Sequence, residues 1–288
     1  MSKQKSGWIG AAVGCSIFGL LIYLERRRPL RNATESKLTR GTRNLSVAAI
    51  GALAIQVAEK PVTDPLAALV ERRRWGLLQQ ARLPRWLEGA LAVLLLDYTL
   101  YIWHVLTHRV SFLWRFHQVH HVDLDMDATT GLRFHFGELA ISTLWRAAQV
   151  LGLGVSQRSL SLWQTLTIFF IMFHHSNVKL PLRVERWLCR LIVTPRMHGI
   201  HHSIVAEETD SNWSSGLMVW DRIHGTLRLN IAHDEIEIGV PAYRDPHEVT
   251  LPRLMEMPFG EQRATWQLPA GGRPARKPSP LPPDHLLD

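Results

Sequence analysis

Histidines concentrated between residues 103 and 121 constrain this chain more than any other feature. The stretch reads WHVLTHRVSFLWRFHQVHH and contains His104, His108, His117, His120 and His121. The first two are four residues apart, and the last three follow at i, i+3 and i+4. Side chains at these spacings project from one face of a helix. The sequence therefore predicts helices that bring these five imidazoles together.

A second H-x-x-H-H occurs at His198, His201 and His202, and a histidine pair, His174 and His175, closes an apolar run between the two motifs. Random placement of 15 histidines among 288 positions predicts far fewer than one copy of H-x-x-H-H, yet the chain has two. The repetition indicates one histidine-rich site built from distant parts of the chain.

The donor set of that site is restricted by composition. The chain has only 2 cysteines, Cys15 and Cys189, so neither a disulfide framework nor a cysteine-type zinc site is available. Eight or nine neutral nitrogen donors exceed the four ligands of a tetrahedral zinc and suit two metal ions with open positions. Imidazole binds Fe, Zn, Cu and Ni, so the ligand type leaves the metal open.

The distribution of apolar residues indicates a membrane protein. Hydrophobic residues make up an ordinary 46% of the chain, but they gather in runs, and arginines gather in blocks between them. The net charge of +8 suits an anionic lipid surface. No recognised module interleaves basic and aromatic residues, so no nucleic-acid partner is expected.

The apolar runs predict helices in the following places. Residues 8–24 predict an uncleaved anchor, with a signal peptide as the alternative. Residues 45–58 predict a spanning or deeply inserted helix, in which Gly51 allows a neighbouring helix to approach closely. Residues 64–78 read as an interfacial helix, and 87–103 as a span. Residues 139–151 and 160–173 read as a helical hairpin, and 220–229 as a short strand or turn.

These segments give an all-α, multi-pass membrane helical protein in three parts. Residues 1–86 hold anchor helices and basic loops, 87–235 hold the histidine-rich core, and 236–288 form a polar C-terminal segment with a disordered, Pro-rich tail from about residue 269. If the basic loop 25–43 is cytoplasmic, the histidine motifs emerge on the cytoplasmic side.

Some polar residues near the histidines have two interpretations. Asp97 shares a helical stripe with Tyr101, His104 and His108, so it either satisfies a neighbouring helix or accepts a histidine N–H. His135 and Glu138 either support ligands or are structural.

The order of the motifs resembles the fatty acid hydroxylase/sterol desaturase superfamily of membrane di-iron enzymes. The resemblance rests on H-x-x-x-H, H-x-x-H-H, F-H-H-S-N (173–177) and T-P-x-x-H-x-x-H-H (194–202), and it extends through D-S-N-W (210–213) and W-D-R-I-H-G-T (220–226). Trp213, Ser214, His224 and Phe136 depart from the usual family pattern. They lie outside the motif histidines, so they bear on substrate shape.

The resemblance implies a centre of two Fe ions at the cytoplasmic membrane face, which hydroxylates or desaturates a C–H bond of a lipid with O₂ as co-substrate. The implied metal-binding and catalytic residues are His104, His108, His117, His120, His121, His174, His198, His201 and His202. The residues that would support them are Asp97, His135, Glu138, His175, Asn177, Asp210 and Asn212.

Electrons are expected from a separate donor, because the chain has no dinucleotide fingerprint and no C-x-x-C cluster. A ferredoxin- or cytochrome-like carrier with its reductase would be steered to arginines near the site, namely Arg109, Arg115, Arg186, Arg190 and Arg196. The alternative is that these arginines only contact lipid phosphates. Two other classes stay open: a histidine-rich membrane protein that binds or transports metal, and a membrane metallohydrolase. No H-E-x-x-H is present for the latter.

Overall fold

The computed structural model describes residues 3–232 and 235–276, and this part of the chain is helical, with isolated β-bridges and no β-sheet. The predicted all-α fold is confirmed. The α-helices are α1 (Lys3–Arg27), α2 (Lys37–Ala54), α3 (Lys60–Arg73), α4 (Leu77–Gln80), α5 (Arg85–Arg109), α6 (Ser111–His121), α7 (Phe136–Leu153), α8 (Gln157–His175), α9 (Leu182–Leu188), α10 (Pro195–His201), α11 (Ala206–Thr209), α12 (Val219–His224) and α13 (Leu251–Glu256).

The long helices share one end, which we call the site end. Glu25, near the end of α1, accepts hydrogen bonds through Oε1 from the backbone N–H groups of Ala128 (2.8 Å) and Asn177 (2.9 Å). The N–H of Leu30 donates to the carbonyl of Asn177 at 2.9 Å. The last turns of α5 and α8 carry histidines that meet those of α6. Helices α1, α5 and α8 therefore end where α2 and α7 begin.

At the opposite end the chain reverses direction through two glycines in contact. Gly76 and Gly154 both have positive φ, and a Cβ on Gly76 would lie 2.3 Å from the nitrogen of Gly154. Gly154 ends α7, and Ser156 caps α8 by accepting from the N–H of Ser159. Only glycine fits both the left-handed backbone and the close approach. This turn makes α7 and α8 the predicted hairpin, which returns His174 and His175 to the site end.

Within the described residues, two helical stretches are long and apolar enough to cross a membrane, Lys37–Gln80 and Arg85–Arg109, with mean hydropathy of 1.4 and 1.6. The first joins two predicted segments into one, because α2 continues through a π-helical turn (Ile55–Glu59) into α3. Apolar side chains such as Leu53 (62% exposed) and Leu144 (77% exposed) cover the outer helix surfaces. Such surfaces suit contact with lipid.

Gly51 brings α2 against the start of α7. A Cβ at this position would lie 2.8 Å from Cδ1 of Leu139 and 3.2 Å from the carbonyl oxygen of Phe134. The prediction that Gly51 allows close approach of a neighbouring helix is confirmed.

A buried set of charges ties α2 to the loop after α6, and we call it the Arg–Asp network: Arg40, Arg43, Arg133, Asp123 and Asp127. Asp123 accepts from Arg40 at 3.1 Å and lies 3.2 Å from Arg133 and 3.5 Å from Arg43. Arg40 also pairs with Asp127. Burial raises the pKa of Asp123, but the three guanidinium groups outweigh it and lower the pKa to about 2. The carboxylate is therefore charged inside the protein.

The C-terminal part packs on the site end. Val240, Tyr243 and Leu254 join Val47 of α2 and Val119 of α6 in one apolar cluster. This packing covers the face of α6 that points away from the histidines.

The structure also revises one expectation about the C-terminal half, and the tail expected from residue 269 stays a prediction. Residues 219–224 form α12, where a short strand or turn was predicted for 220–229, because no neighbouring strand is present among the described residues to pair with it. Within the tail expected from residue 269, Arg276 pairs with Glu208 and with Glu235. The rest of that tail, 277–288, lies outside the described residues.

Candidate metal centre

Four histidines from three helices form the first histidine group: His104, His108, His121 and His201. Their candidate ligand nitrogens all lie within 4.8 Å of one another. His104 and His108 occupy the last turns of α5, where the 3.6-residue period places both on one face. The buried Nε2 atoms of His108, His121 and His201 have no hydrogen-bond partner among the described residues.

The second histidine group lies beside the first and consists of His120, His175, His198 and His202. Its Nε2 atoms face one another, at 3.0 Å from His175 to His120, 2.9 Å from His198 to His175 and 3.2 Å from His202 to His198. A metal bonded to nitrogen at about 2.0–2.1 Å in a tetrahedron separates its donors by roughly 3.3 Å. The spacing therefore fits four nitrogens around one metal ion.

Neighbouring histidines in each H-x-x-H-H motif serve different groups. His120 belongs to the second group and His121 to the first, whereas His201 belongs to the first and His202 to the second. Successive side chains on a helix point about 100° apart, so the two members of each pair diverge. The rings of His121 and His202 stack at 4.2 Å between centroids with 11° between planes. The two motifs thus bridge both groups.

Backbone carbonyls hold the other nitrogen of several rings. The Nδ1 of His104 lies 2.6 Å from the carbonyl oxygen of Trp213, that of His201 lies 2.8 Å from that of Ser211, and that of His175 lies 2.8 Å from that of Ile171. A carbonyl only accepts, so each Nδ1 carries the proton. The Nε2 of each ring is then unprotonated and directed into its group, as a metal ligand requires.

His117 lies against the first group without joining it. Its Nδ1 donates to Oε1 of Glu138 at 2.8 Å, and its buried Nε2 has no partner among the described residues. The ring centroids of His108 and His121 are 4.9 Å and 5.0 Å away. Glu138 orients this ring in the way that carboxylates orient ligand histidines.

The structure exchanges the expected parts of His174 and His175. His175, expected only to support the ligands, contributes its Nε2 to the second group. His174, expected as a ligand, lies outside the group, with its ring centroid 4.1 Å from that of His198 and a backbone hydrogen bond to Ser215. Adjacent helical residues point in different directions, so only one of the pair faces the group.

Burial keeps these imidazoles neutral. Loss of solvent, followed by the neighbouring imidazoles, lowers the pKa of His121, His198 and His202 well below 6.5. Loss of solvent lowers the pKa of His201 to about 3, against a hydrogen bond to the backbone of Ser211. Neutral rings offer lone pairs, so the groups are donor sets at physiological pH.

Of the residues expected to support the ligands, Asp97 has another function. Its Oδ2 accepts from Nε1 of Trp220 at 2.7 Å and from the N–H of Leu217 at 3.0 Å, and the structure gives it no hydrogen bond to a histidine. Asp97 therefore satisfies the neighbouring segment, which is the first of the two interpretations above.

Four others brace the chain around the site. Asp210 pairs with Arg109 at 3.0 Å, and Asn212 donates to the carbonyl of Met197 in α10 at 2.9 Å. Asn177 joins α8 to the loop after α1, because its Oδ1 accepts from the N–H of Arg31 at 2.8 Å. His135 caps α7 by accepting from the N–H of Gly137.

Asp221 was not singled out from the sequence, although it fixes the loop behind His104. It is fully buried and accepts from the N–H groups of Trp213 (2.8 Å) and Ser214 (3.0 Å). Because the carbonyl of Trp213 holds the ring of His104, Asp221 acts on that ligand through the loop. In the sequence, Asp221 stands four residues before the turn glycine Gly225, and this spacing could have indicated its role in fixing the loop.

Comparison with known proteins identifies relatives of the central part of the chain. The family model described as fatty acid hydroxylase matches residues 89–226. The chain is 31% identical to the ornithine lipid hydroxylase OlsE of Rhizobium tropici over 54% of this chain and 46% of the relative. It is 27% identical to the alkylglycerol monooxygenase of Xenopus tropicalis, over 46% of this chain and 28% of the relative.

It is also 27% identical to the human cholesterol 25-hydroxylase, over 47% of this chain and 49% of the relative. The chain thus spans less than half the length of each of these three relatives. No solved structure gives a significant match.

Proposed function

We propose, from the match of the fatty acid hydroxylase family model to residues 89–226, that this chain is a membrane-bound, O₂-dependent hydroxylase or desaturase of lipid C–H bonds with one iron ion in each histidine group. The observation that carries the proposal is the convergence of eight histidines, seven of them buried, into two adjacent sets of four nitrogens. Imidazole donors suit iron, and two neighbouring sets suit two ions.

When bound, the iron pair would supply activation of O₂, so that lipid, O₂, two electrons and two protons give hydroxylated lipid and water, or desaturated lipid and two waters. The protein positions the donors. The carbonyls of Trp213, Ser211 and Ile171 keep protons on Nδ1 of their histidines, and Glu138 holds His117. These contacts lie within the protein itself, so they orient the donor nitrogens towards each group.

A lipid substrate is supported by two observations. The relatives are named for hydroxylation of ornithine lipid, alkylglycerol and cholesterol. The helices that carry the histidines also present exposed apolar surfaces, so a substrate can approach from the bilayer. We propose that the helices form several membrane spans, with the site end at the cytoplasmic face.

The orientation and the electron supply follow from charge. The loop before α2 is basic and lies at the site end. Because cytoplasmic loops carry an excess of positive residues, this favours a cytoplasmic site end. Reducing equivalents come from a separate ferredoxin- or cytochrome-like carrier with its reductase. Exposed Arg186 offers basic charge for an acidic carrier on that side, whereas Arg196 pairs with Glu185 at 3.1 Å.

The test uses the full chain in lipid nanodiscs. We expect about two iron ions per chain by elemental analysis, and turnover of a lipid extract only with O₂, a reductase and its carrier. With ¹⁸O₂, a hydroxylated product gains one labelled oxygen, whereas a desaturated product gains none and loses two hydrogens. Bound zinc with turnover in the absence of O₂ would instead indicate a metallohydrolase, and metal passage across a vesicle membrane would indicate a transporter.

A further inference from the structure

A cavity of about 720 Å³ lies beside the first histidine group. One wall comes from the α5–α6 junction and includes His108, and another comes from residues 262–273. Its volume is that of a site for a small molecule. The second wall lies outside the range 89–226 that the family comparison covers.

Positive charge dominates the lining of the cavity. Among the described residues that line it, the arginines are Arg109, Arg115, Arg263 and Arg273, and the single acidic residue is Asp210. Asp210 pairs with Arg109 at 3.0 Å, and Glu248 pairs with Arg263. These two arginines are therefore neutralised locally.

The other two arginines form no ion pair with the described residues. Arg115 donates through Nη2 to the carbonyl of Gly260 at 3.0 Å, and its buried Nε has no acceptor among the described residues. Arg273 has no ion pair within the described part of the chain. Two cations without counter-charges in a concave site form a binding place for an anion.

The cavity combines this charge with apolar and aromatic surface. The rings of Trp114 and Trp266 stack at 5.9 Å between centroids, and Nε1 of Trp114 donates to Thr265 at 3.2 Å. Phe112, which lines the cavity, is 56% exposed, and Val110 beside it is 40% exposed. Exposed apolar side chains next to tryptophan and arginine are typical of a membrane interface.

We propose that this cavity binds the anionic headgroup, a phosphate or carboxylate, of the lipid substrate, and that the oxidised C–H bond lies close to that headgroup. The proposal rests on the proposed function and narrows its substrate. Arginine forks bind carboxylate and phosphate through paired hydrogen bonds. Because His108 belongs both to the cavity lining and to the first histidine group, a headgroup held here places its nearest carbons beside that group.

A small anion suits the cavity better than the acidic surface of a carrier protein. Arg115 is half-buried within the concave lining, where a flat protein surface does not reach it. The exposed apolar side chains favour an anion attached to a lipid over a free one, because a free anion gains nothing from them.

The experiment measures binding without turnover. Iron-loaded protein in a neutral maltoside detergent is titrated in a calorimeter with dihexanoyl phosphatidate, with dihexanoyl phosphatidylcholine and with inorganic phosphate. We expect phosphatidate to bind at least about tenfold more tightly than either of the others, since it alone joins an uncapped anionic phosphate to acyl chains.

Arg273→Ala and Arg115→Ala each remove one uncompensated charge and should weaken phosphatidate binding about tenfold or more. Arg158→Ala, which removes an exposed arginine at the far end of the molecule, is the matched control and should change nothing. Iron content should be unchanged in all three variants. Arg273 is exposed, so its replacement leaves the fold intact.

Equal affinity for inorganic phosphate and phosphatidate would overturn the lipid part of the proposal. Unchanged phosphatidate affinity in Arg273→Ala and Arg115→Ala would overturn the site. Failure of the proposed function is separate: a chain that binds phosphatidate through Arg273 but takes up no iron contradicts the oxidase alone. An active oxidase that is indifferent to both arginines contradicts the headgroup site alone.

Discussion

The Arg–Asp network and the two histidine groups lie next to each other, but their buried polar side chains are paired in opposite ways. Asp123 follows His121 by two residues, and both side chains are at most 1% exposed. In the network, guanidinium groups face carboxylates, so opposite charges compensate one another. In the histidine groups, neutral donors of the same kind face one another, with Nε2 atoms as close as 2.9 Å.

The difference separates structural polar groups from ligand-binding ones. Buried polar atoms without partners cost stability, and a folded chain keeps them where a ligand completes them. In the network each guanidinium group lies within 3.5 Å of a carboxylate, so its charge is compensated without a ligand. The network also serves the site, because Nε of Arg133 donates to the carbonyl of Val119 at 2.9 Å and so fixes the end of α6 that carries His120 and His121.

Removing Asp123 should have the largest effect. Asp123→Ala leaves three buried arginines without their shared carboxylate, and loss of one partner of a buried ion pair costs about 3–5 kcal/mol. We expect the variant to lose its thermal unfolding transition in detergent, or to show it at a far lower temperature, together with the loss of all bound metal.

Asp64→Ala is the control for this loss. Asp64 is 50% exposed and makes one surface pair with Lys60, so its removal should cost less than about 1 kcal/mol. If Asp123→Ala were no less stable than Asp64→Ala, the network would not be structural and the contrast between the two regions would fail.

Removing a ligand histidine should abolish activity and spare the fold. His121→Ala and His201→Ala each take one nitrogen from the first group, and we expect turnover to fall more than about 100-fold, beyond the loss typical of groups that only support a ligand. Bound iron should fall as well. The helical circular dichroism of the metal-free variant should match that of the metal-free parent, and a variant with full iron and activity would exclude that histidine from the ligands.

Removing the metal from the unaltered chain tests whether the fold depends on the Arg–Asp network alone or also on the histidine groups. Chelation with 2,2′-bipyridine should leave helix content unchanged, because the network and the apolar clusters do not depend on metal. The unfolding temperature should fall, since an ion present at 100-fold excess over its dissociation constant stabilises the folded state by about 2.7 kcal/mol. Fe(II) should restore the temperature, and loss of helix on chelation would show that the histidine groups support the fold.

Two buried carboxylates, Glu138 and Asp97, should differ in their effect on metal affinity, and this is the smallest expected effect. Glu138→Gln removes the charged acceptor of His117, and we expect metal affinity to fall about 10–100-fold. Asp97→Asn changes a carboxylate that contacts Trp220 and Leu217, and it should leave metal affinity unchanged. Both affinities can be measured by competition with a chelator, and the reverse order would exchange the roles of the two residues.

The sequence predicted features that depend on local geometry. The spacing of His104 and His108, and of the two H-x-x-H-H motifs, determines which side chains share a helix face, and the structure brings seven of the nine predicted ligands into two groups. The helical hairpin and the close approach at Gly51 also followed from local patterns, namely apolar length and residue size.

Features that depend on distant partners were not predicted. Asp123 meets Arg40 across 83 positions of the chain, and no periodicity links α2 to the loop after α6. The sequence also could not choose between His174 and His175, since both end the same apolar helix. The rotation of α8 against α10 decides which of them faces the second group. From the sequence alone, Asp97 could have accepted either from a neighbouring helix or from a histidine N–H. Only the fold shows that Trp220 lies beside it.

The division of His120–His121 and His201–His202 between the two groups has a consequence for how the ions are acquired. An ion in either group immobilises one member of each pair, and the peptide bond then holds the other member in place for the second ion. The second ion therefore meets a preordered site and loses less conformational entropy on binding than the first. With the proposed two-ion centre, chains with one ion should be scarce, and the metal would be gained and lost in pairs.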